Sequence, residues 1–337
     1  MPTTLTVVGA GAWGTAVAIH LAQNPDHAVR LWCARARSAD DLIACRENAR
    51  LLPGVRIPEA VEITGDTAQA VAGADLLIAA VPTVYMRATL RPLAGVVSPA
   101  VPVLSLAKGV ENETFLRPTE IVAQLWGTER LAVLSGPSHA EEVSRGLPAS
   151  LVAASTDLDL ARWVQQRFST ERFRVYTNLD VVGVELAGAL KNVLAIAAGI
   201  GDGLGFGDNA KAALLTRGLV EMARFGVALG AEHATFFGLA GVGDLITTCF
   251  SPHGRNRRVG QRLAAGESLD AIGRSSEMVA EGVYTTRSAY TRARQMGVEM
   301  PIVTEVYRVL YESKPPLQAV SDLMLRRPVP ERPGGPA

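Results

Sequence analysis

Lysine is scarce in this 337-residue chain. Of 33 basic side chains only four are lysine, Lys108, Lys191, Lys211 and Lys314, and the other 29 are arginine. A guanidinium keeps its charge at any working pH, whereas a desolvated ammonium can give up its proton. The few lysines are therefore the cations to examine for proton chemistry. An excess of charge of one sign is also missing: 33 acids balance 33 bases, which gives no electrostatic reason to expect nucleic acid as a partner. Cysteine is limited to Cys33, Cys45 and Cys249 without a CxxC pair, which argues against a disulfide framework and fits a reducing compartment. The five histidines show no HExxH spacing, so no metal is expected. No apolar run reaches the roughly 18 residues of a membrane span. The first basic residue is Arg30, too late for the n-region of a leader, so a cytoplasmic protein without a transmembrane segment is expected.

What is present is a composition for compact folding, 48% hydrophobic and 20% charged. The length suggests about two domains at roughly 150 residues each. Apolar, β-rich runs at Leu5–Val8, Val29–Cys33, Leu76–Val81, Val101–Leu106, Leu131–Leu134, Leu151–Ala154 and Phe173–Tyr176 read as strands. Helical spacing occupies Ala12–Gln23, Ala39–Asn48, Thr114–Trp126 and Leu158–Phe168. Such alternation predicts a mostly parallel sheet covered by helices, with room for antiparallel strands at its late edge. After Asn178 only helical patterns remain, for example Leu214–Leu229, Ser276–Met296 and Val303–Glu312. The expected division is 1–178 for an α/β domain, 179–326 for an all-α domain, and 327–337 for a frayed tail carrying Pro328, Pro330, Pro333 and Pro336.

Gly9-Ala10-Gly11-Ala12-Trp13-Gly14 follows the first strand and opens a helix, the setting that a GxGxxG turn needs to bind a dinucleotide. Gly9 permits the tight turn, Gly11 lets backbone approach a pyrophosphate, and Gly14 lets helix and strand pack closely. Free N–H groups at the helix start suit the phosphates. The fold class is thus an N-terminal Rossmann-type doubly wound sheet followed by an all-α domain. The second strand runs into Cys33-Ala34-Arg35-Ala36-Arg37, with no acid to take a ribose 2′-hydroxyl. Arginine there suits a 2′-phosphate, which favours NADPH and leaves NADH open, unless Arg35 and Arg37 are solvated loop charges.

Lys108 lies just past the carboxyl end of a strand, where open α/β sheets bind ligands. Lys191 lies in an apolar helix of small residues, Glu185 to Leu194, where desolvation lowers its pKa and readies it to exchange a proton. Asp244, among glycines and apolar residues, needs a charged partner if buried. Arg255 and Asn256 offer donors for a phosphate or carboxylate, although such a basic run is most often a solvated face.

These residues resemble the bacterial NAD(P)-dependent glycerol-3-phosphate dehydrogenases, from the opening turn to about Pro316. The resemblance rests on GAGAWGTA at 9–16, SLAKG at 105–109 and LSGPSHAEEV at 134–143. It continues through ELAGALKNVLAIAAGIGDGLGFGDNAKAALLTRGL at 185–219, GLAGVGDLITTC at 238–249 and VAEGVYTT at 279–286. It implies that Lys191 is the proton donor and acceptor, that Lys108 touches cofactor and substrate, and that Asp244 belongs to the catalytic network. Gly136 and Ser138 would meet the substrate, and Gly254, Arg255 and Asn256 would hold its phosphate. Gly9, Gly11, Ala12, Trp13, Gly14, Arg35, Lys108, Ala140, Arg255, Val279 and Glu281 would hold the cofactor. Gly254 stands where the family usually has serine, and Arg35 comes one residue later than the usual basic position. The substrate implied is dihydroxyacetone phosphate or sn-glycerol 3-phosphate, the role phospholipid-precursor supply, and the assembly a homodimer. Two other readings are a two-domain β-hydroxyacid dehydrogenase and a non-catalytic NAD(P)-binding protein.

Overall fold

The computed structural model describes residues 1–275, 279–328 and 330–331. Its strands are β1 (Thr3–Val8), β2 (His27–Trp32), β3 (Val61–Thr64), β4 (Leu76–Ala79), β5 (Val103–Ser105), β6 (Leu131–Ser135), β7 (Ala149–Ala154) and β8 (Phe173–Asn178). They form one sheet in the order β3-β2-β1-β4-β5-β6-β7-β8. The first six pair in parallel, β6 and β7 pair antiparallel, and β7 and β8 are parallel to each other. The order reverses at β1 and β4, and a doubly wound sheet opens its ligand crevice at such a reversal. The glycine turn leaves β1 at that point.

The helices among the strands are α1 (Ala12–Leu21), α2 (Ala36–Cys45), α3 (Thr67–Val71), α4 (Thr83–Leu90), α5 (Pro118–Trp126), α6 (Ala140–Val143) and α7 (Leu158–Phe168). They cover both faces, so the inner strands read as unbroken apolar runs; all four residues of β4 are buried. Three differences from the sequence reading have local causes. The strand β3 was not anticipated, because exposed Glu62 interrupts its short apolar run. The helix α5 starts at Pro118 rather than at Thr114, because Glu113 and Phe115 hold φ of 70° and 61°. The helix α2 stops at Cys45, because Arg46 turns left-handed at φ 50°.

Beyond Asn178 come α8 (Val181–Gly203), α9 (Asp208–Ala228), α10 (Asp244–Phe250), α11 (Arg255–Ala264), α12 (Leu269–Ser275), α13 (Glu281–Met296), α14 (Pro301–Tyr311) and α15 (Pro316–Met324), with no strand among the described residues. The helix expected over Ser276–Met296 begins at Glu281, and its first three positions lie outside the described residues. Most of the expected tail, 329 and 332–337, lies outside them as well.

The 23-residue α8 is the axis of this half, packed by α9, α10, α11, α13 and α14. It corrects one expectation from the sequence, since it is long and apolar enough to cross a membrane. However, 83% of its apolar stretch is buried inside the protein. Glycines let α11 approach it at backbone distance. A Cβ on Gly199 would lie 1.9 Å from the carbonyl of Arg257, and one on Gly260 would lie 2.1 Å from that of Ile196. Fully buried Phe225 and Phe236 anchor the core around it, each ring removing roughly 150–250 Å² from water.

Candidate active site

A cleft of about 380 Å³ lies between the carboxyl edge of the sheet and the helical half. The glycine turn forms one end. Gly9 holds φ +116°, and a Cβ there would strike Ala80 O at 2.9 Å; one on Gly14 would fall 2.0 Å from Gly9 O. Both are packing glycines set back from the cleft wall. Gly11, in contrast, faces the cleft with nothing within 4 Å of an added Cβ, beside a helix start that has no side-chain cap and no acid in its first turn. The buried Trp13 Nε1 has no partner among the described residues. This is an open, positive cradle of the kind a dinucleotide pyrophosphate fits.

The cleft floor carries the two lysines. From the end of β5, Lys108 Nζ donates to Gly136 O at 2.8 Å, Asp244 Oδ2 at 2.8 Å and Ser138 Oγ at 3.3 Å. From the middle of α8, Lys191 Nζ donates to Asp244 Oδ1 at 2.8 Å and Thr248 Oγ1 at 2.6 Å. One carboxylate thus binds both ammonium groups, an oxygen to each. Asp244 owes its place to a π-helical turn, Leu239–Gly243, where a Cβ on Gly241 would sit 2.0 Å from Phe236 O. Such turns recur at functional sites because they re-aim the residue that follows.

Burial lowers the Lys191 pKa to about 8; the Lys108 charge pushes the same way, and Asp244 opposes both. Burial alone would raise the Asp244 carboxyl, but the two lysines outweigh it and hold it below the usual aspartate value. An ammonium has three donors. Among the described residues Lys108 engages all three, whereas Lys191, which lines the cleft, engages two. The geometry therefore singles out Lys191 as the amine free to meet an incoming oxygen.

The far end is the N-terminus of α11. Gly254 caps it, and a Cβ there would lie 2.8 Å from Thr248 O, so glycine lets the turn close on α10. Arg255 is exposed at the cleft mouth and donates to Val279 O at 3.2 Å. Asn256 is buried, accepts from Gly282 N at 3.0 Å and donates to Asn192 Oδ1 at 2.9 Å, which leaves one amide hydrogen. Asn192 Nδ2 in turn donates to the Lys108 carbonyl at 2.9 Å. A relay of amides thus ties α13 and α11 to the sheet edge. Glu281 reinforces it, accepting from Thr83 N at 2.6 Å; burial raises its pKa against the pull of that N–H and of Arg255.

Of the residues anticipated from sequence, Gly11, Ala12, Trp13, Lys108, Ser138, Ala140, Lys191, Asp244, Gly254, Arg255, Asn256, Val279 and Glu281 line the cleft. Gly136 stands behind Lys108, at φ +135°. Arg35 is exposed at the N-cap of α2, outside the cleft wall. The sequence reading missed Arg50, Tyr85, His139, Asn192, Thr248 and His253. Thr248 was discoverable, because it lies one helical turn after Asp244 and shares its face. His139 carries an unpartnered buried Nε2; burial lowers its pKa, and Lys191 and Lys108 lower it further. Its ring centroid lies 5.9 Å from that of His253.

A glycine-turn cradle at the sheet reversal, facing a cleft with a buried lysine whose pKa falls to about 8, defines a dinucleotide-dependent oxidoreductase. Models of the N-terminus and the C-terminus of NAD-dependent glycerol-3-phosphate dehydrogenase match residues 4–161 and 180–321. The chain is 47% identical over 330 residues to a glycerol-3-phosphate dehydrogenase, NAD(P)+, of Chlorobium phaeobacteroides (strain BS1), covering 97% of this chain and 98% of that one. It is 48% identical over 330 residues to the one of Prosthecochloris aestuarii, covering 97% and 99%. The crystal structure of glycerol-3-phosphate dehydrogenase from Coxiella burnetii superposes with a TM-score of 0.91 at 36% identity, covering 96% and 99%. The chain belongs to the NAD-dependent glycerol-3-phosphate dehydrogenase family.

Proposed function

We propose that this chain interconverts dihydroxyacetone phosphate and sn-glycerol 3-phosphate with NAD(P)H, and that it divides its work between 1–178 for the cofactor and 179–326 for the substrate. One observation carries the reading. A buried lysine with two of its three donors engaged sits on the cleft floor between an open glycine cradle and a helix N-terminus suited to a phosphate.

Gly11, Ala12, Trp13, Ala140, Val279 and Glu281 would hold the dinucleotide, which supplies the hydride when bound. Arg255, the free amide hydrogen of Asn256 and the first N–H groups of α11 bind the substrate phosphate, and this remote contact orients the reacting carbon. Lys108 gives up its long 3.3 Å contact with Ser138 so that both meet the hydroxymethyl end, and the Lys108 charge stabilises negative charge growing on the carbonyl oxygen. Lys191 delivers a proton from Nζ to that oxygen and takes it back in the reverse direction. Asp244 keeps both amines in place, and its pull offsets part of the burial effect on Lys191, leaving that amine able to work both ways near pH 8.

The absence of an acid after β2, with Arg35 nearby, supports NADPH as the preferred cofactor, and the family resemblance supports cytoplasmic phospholipid-precursor supply by a homodimer. The test is NADPH oxidation by purified protein with dihydroxyacetone phosphate, dihydroxyacetone and a β-ketoacid in parallel. Turnover should need the phosphate ester. Equal rates with dihydroxyacetone, or turnover of the β-ketoacid alone, would overturn the reading. Sedimentation of the purified protein tests the dimer.

A further inference from the structure

Lys211 is one of only four lysines, and the cleft chemistry does not use it. It takes part in a separate charged cluster behind the phosphate end of the cleft. Asp202, on the last turn of α8, forms an ion pair with Lys211 Nζ at 2.6 Å through Oδ1 and accepts from Arg257 Nε at 2.5 Å through Oδ2. The three side chains are only 12–20% exposed. The Lys211 ammonium also lies 4.8 Å from the ring centre of Phe250, the last residue of α10. Three helices therefore meet at one carboxylate, α8, α9 with Lys211 and α11 with Arg257, and α10 joins them through Phe250 beneath the Lys211 ammonium.

Arg257 follows Arg255 by two residues, so the two side chains leave α11 roughly 200° apart. One faces the cleft mouth and the other reaches back to α8. The nearby backbone contact at Gly199 sets the distance between the helices, but glycine presents no ridge to lock their rotation. Asn256 ties α11 to Asn192 of α8 at one point, and the Asp202–Arg257 pair adds a second, ionic lock between the two helices. We propose that Asp202, braced by Lys211, is a positioning residue that fixes the rotation of α11, so that its free N–H groups, Arg255 and Asn256 converge on the phosphate ester. This rests on the function proposed above.

Charge and position make opposite demands, which makes the idea testable. Asp202→Asn removes a negative charge from a region that attracts phosphate, so Coulomb attraction alone would lower the KM. Loss of the lock raises it instead. The expected result is a KM for dihydroxyacetone phosphate, and a Kd for inorganic phosphate, raised about tenfold, with kcat within about threefold of wild type. NADPH affinity, read by fluorescence titration, should stay unchanged. Arg257→Lys keeps the charge but loses the fork, and the same rise is expected at constant charge; it also serves if Asp202→Asn does not fold. An unchanged or lowered KM overturns the proposal, as does a joint loss of NADPH affinity and kcat. If the wild-type protein fails to reduce dihydroxyacetone phosphate, the function is misread. Phosphate binding by wild type and variants then still decides the role of Asp202.

Discussion

At the scale of single residues, the arrangement gives Lys191 a pH signature. Under the proposed mechanism its ammonium donates when the ketone is reduced, so kcat/KM for reduction should fall as pH rises through about 8, the value to which burial lowers it. Oxidation of the alcohol needs the neutral amine and should rise over the same range. Lys191→Arg keeps the charge but cannot exchange the proton, and a loss of about 10²–10⁴ in kcat is expected. Stopped-flow hydride transfer at several pH values checks both statements; a variant retaining turnover would remove Lys191 from the proton path. Arg35 offers a second residue-scale test. If it reads the 2′-phosphate from its exposed place at the start of α2, Arg35→Ala should weaken NADPH binding while leaving NADH binding unchanged. An unaltered ratio of the two affinities assigns the selectivity elsewhere in the cleft wall, where Arg50 is an additional cation.

At the scale of elements, the contact between α8 and α11 depends on absent side chains. Gly199→Ala would drive a methyl to within 1.9 Å of a backbone carbonyl, which cannot rotate away. The helices must part, at a cost of about 1–3 kcal/mol. Thermal unfolding should show a drop of several degrees, whereas Gly207→Ala, with nothing near its added Cβ, should not. The same scale explains what was legible in the sequence. The glycine turn, Lys108, Lys191 and Asp244 stood out because their neighbours are apolar or small, so a charge there demands a reason. Helix α7 was legible at both ends, because Asp157 caps it and its buried face repeats at helical spacing. The π-helical turn before Asp244 was not, since GLAGVG carries no signal that separates it from an ordinary helix start. The amide relay through Asn192 and Asn256 was also hidden, because it joins residues 64 positions apart. Arg50 and His253 project from connecting segments, where no periodicity marks which side chain faces the cleft.

For the molecule as a whole, one buried acid links stability to pH. Glu221 on α9 accepts from the backbone N–H of Ile302 at 2.9 and 3.1 Å, at the start of α14. Burial raises its pKa from 4.5 to about 7, and the α14 N–H groups, Arg224 and Arg326 oppose the rise. An acid raised in the fold contributes fully below its unfolded value and loses that contribution as pH climbs through the folded one. Between about pH 4.5 and 7 this group should therefore withdraw about 1–3 kcal/mol of stability. Glu221→Gln keeps an acceptor without the proton dependence. Its Tm relative to the parent should increase from pH 5 to about pH 7 and level off by pH 8, and a constant difference would refute the linkage.

The long central helix also governs how the polypeptide must be born. Translation delivers Val181–Gly203 well before α11, α13 and α14, the segments that will wrap it. Until they emerge, a greasy rod long enough for a bilayer stands bare at the ribosome, and sticky intermediates of that kind aggregate. A nascent chain arrested after Ala228 should hold trigger-type chaperones far longer than one released at full length.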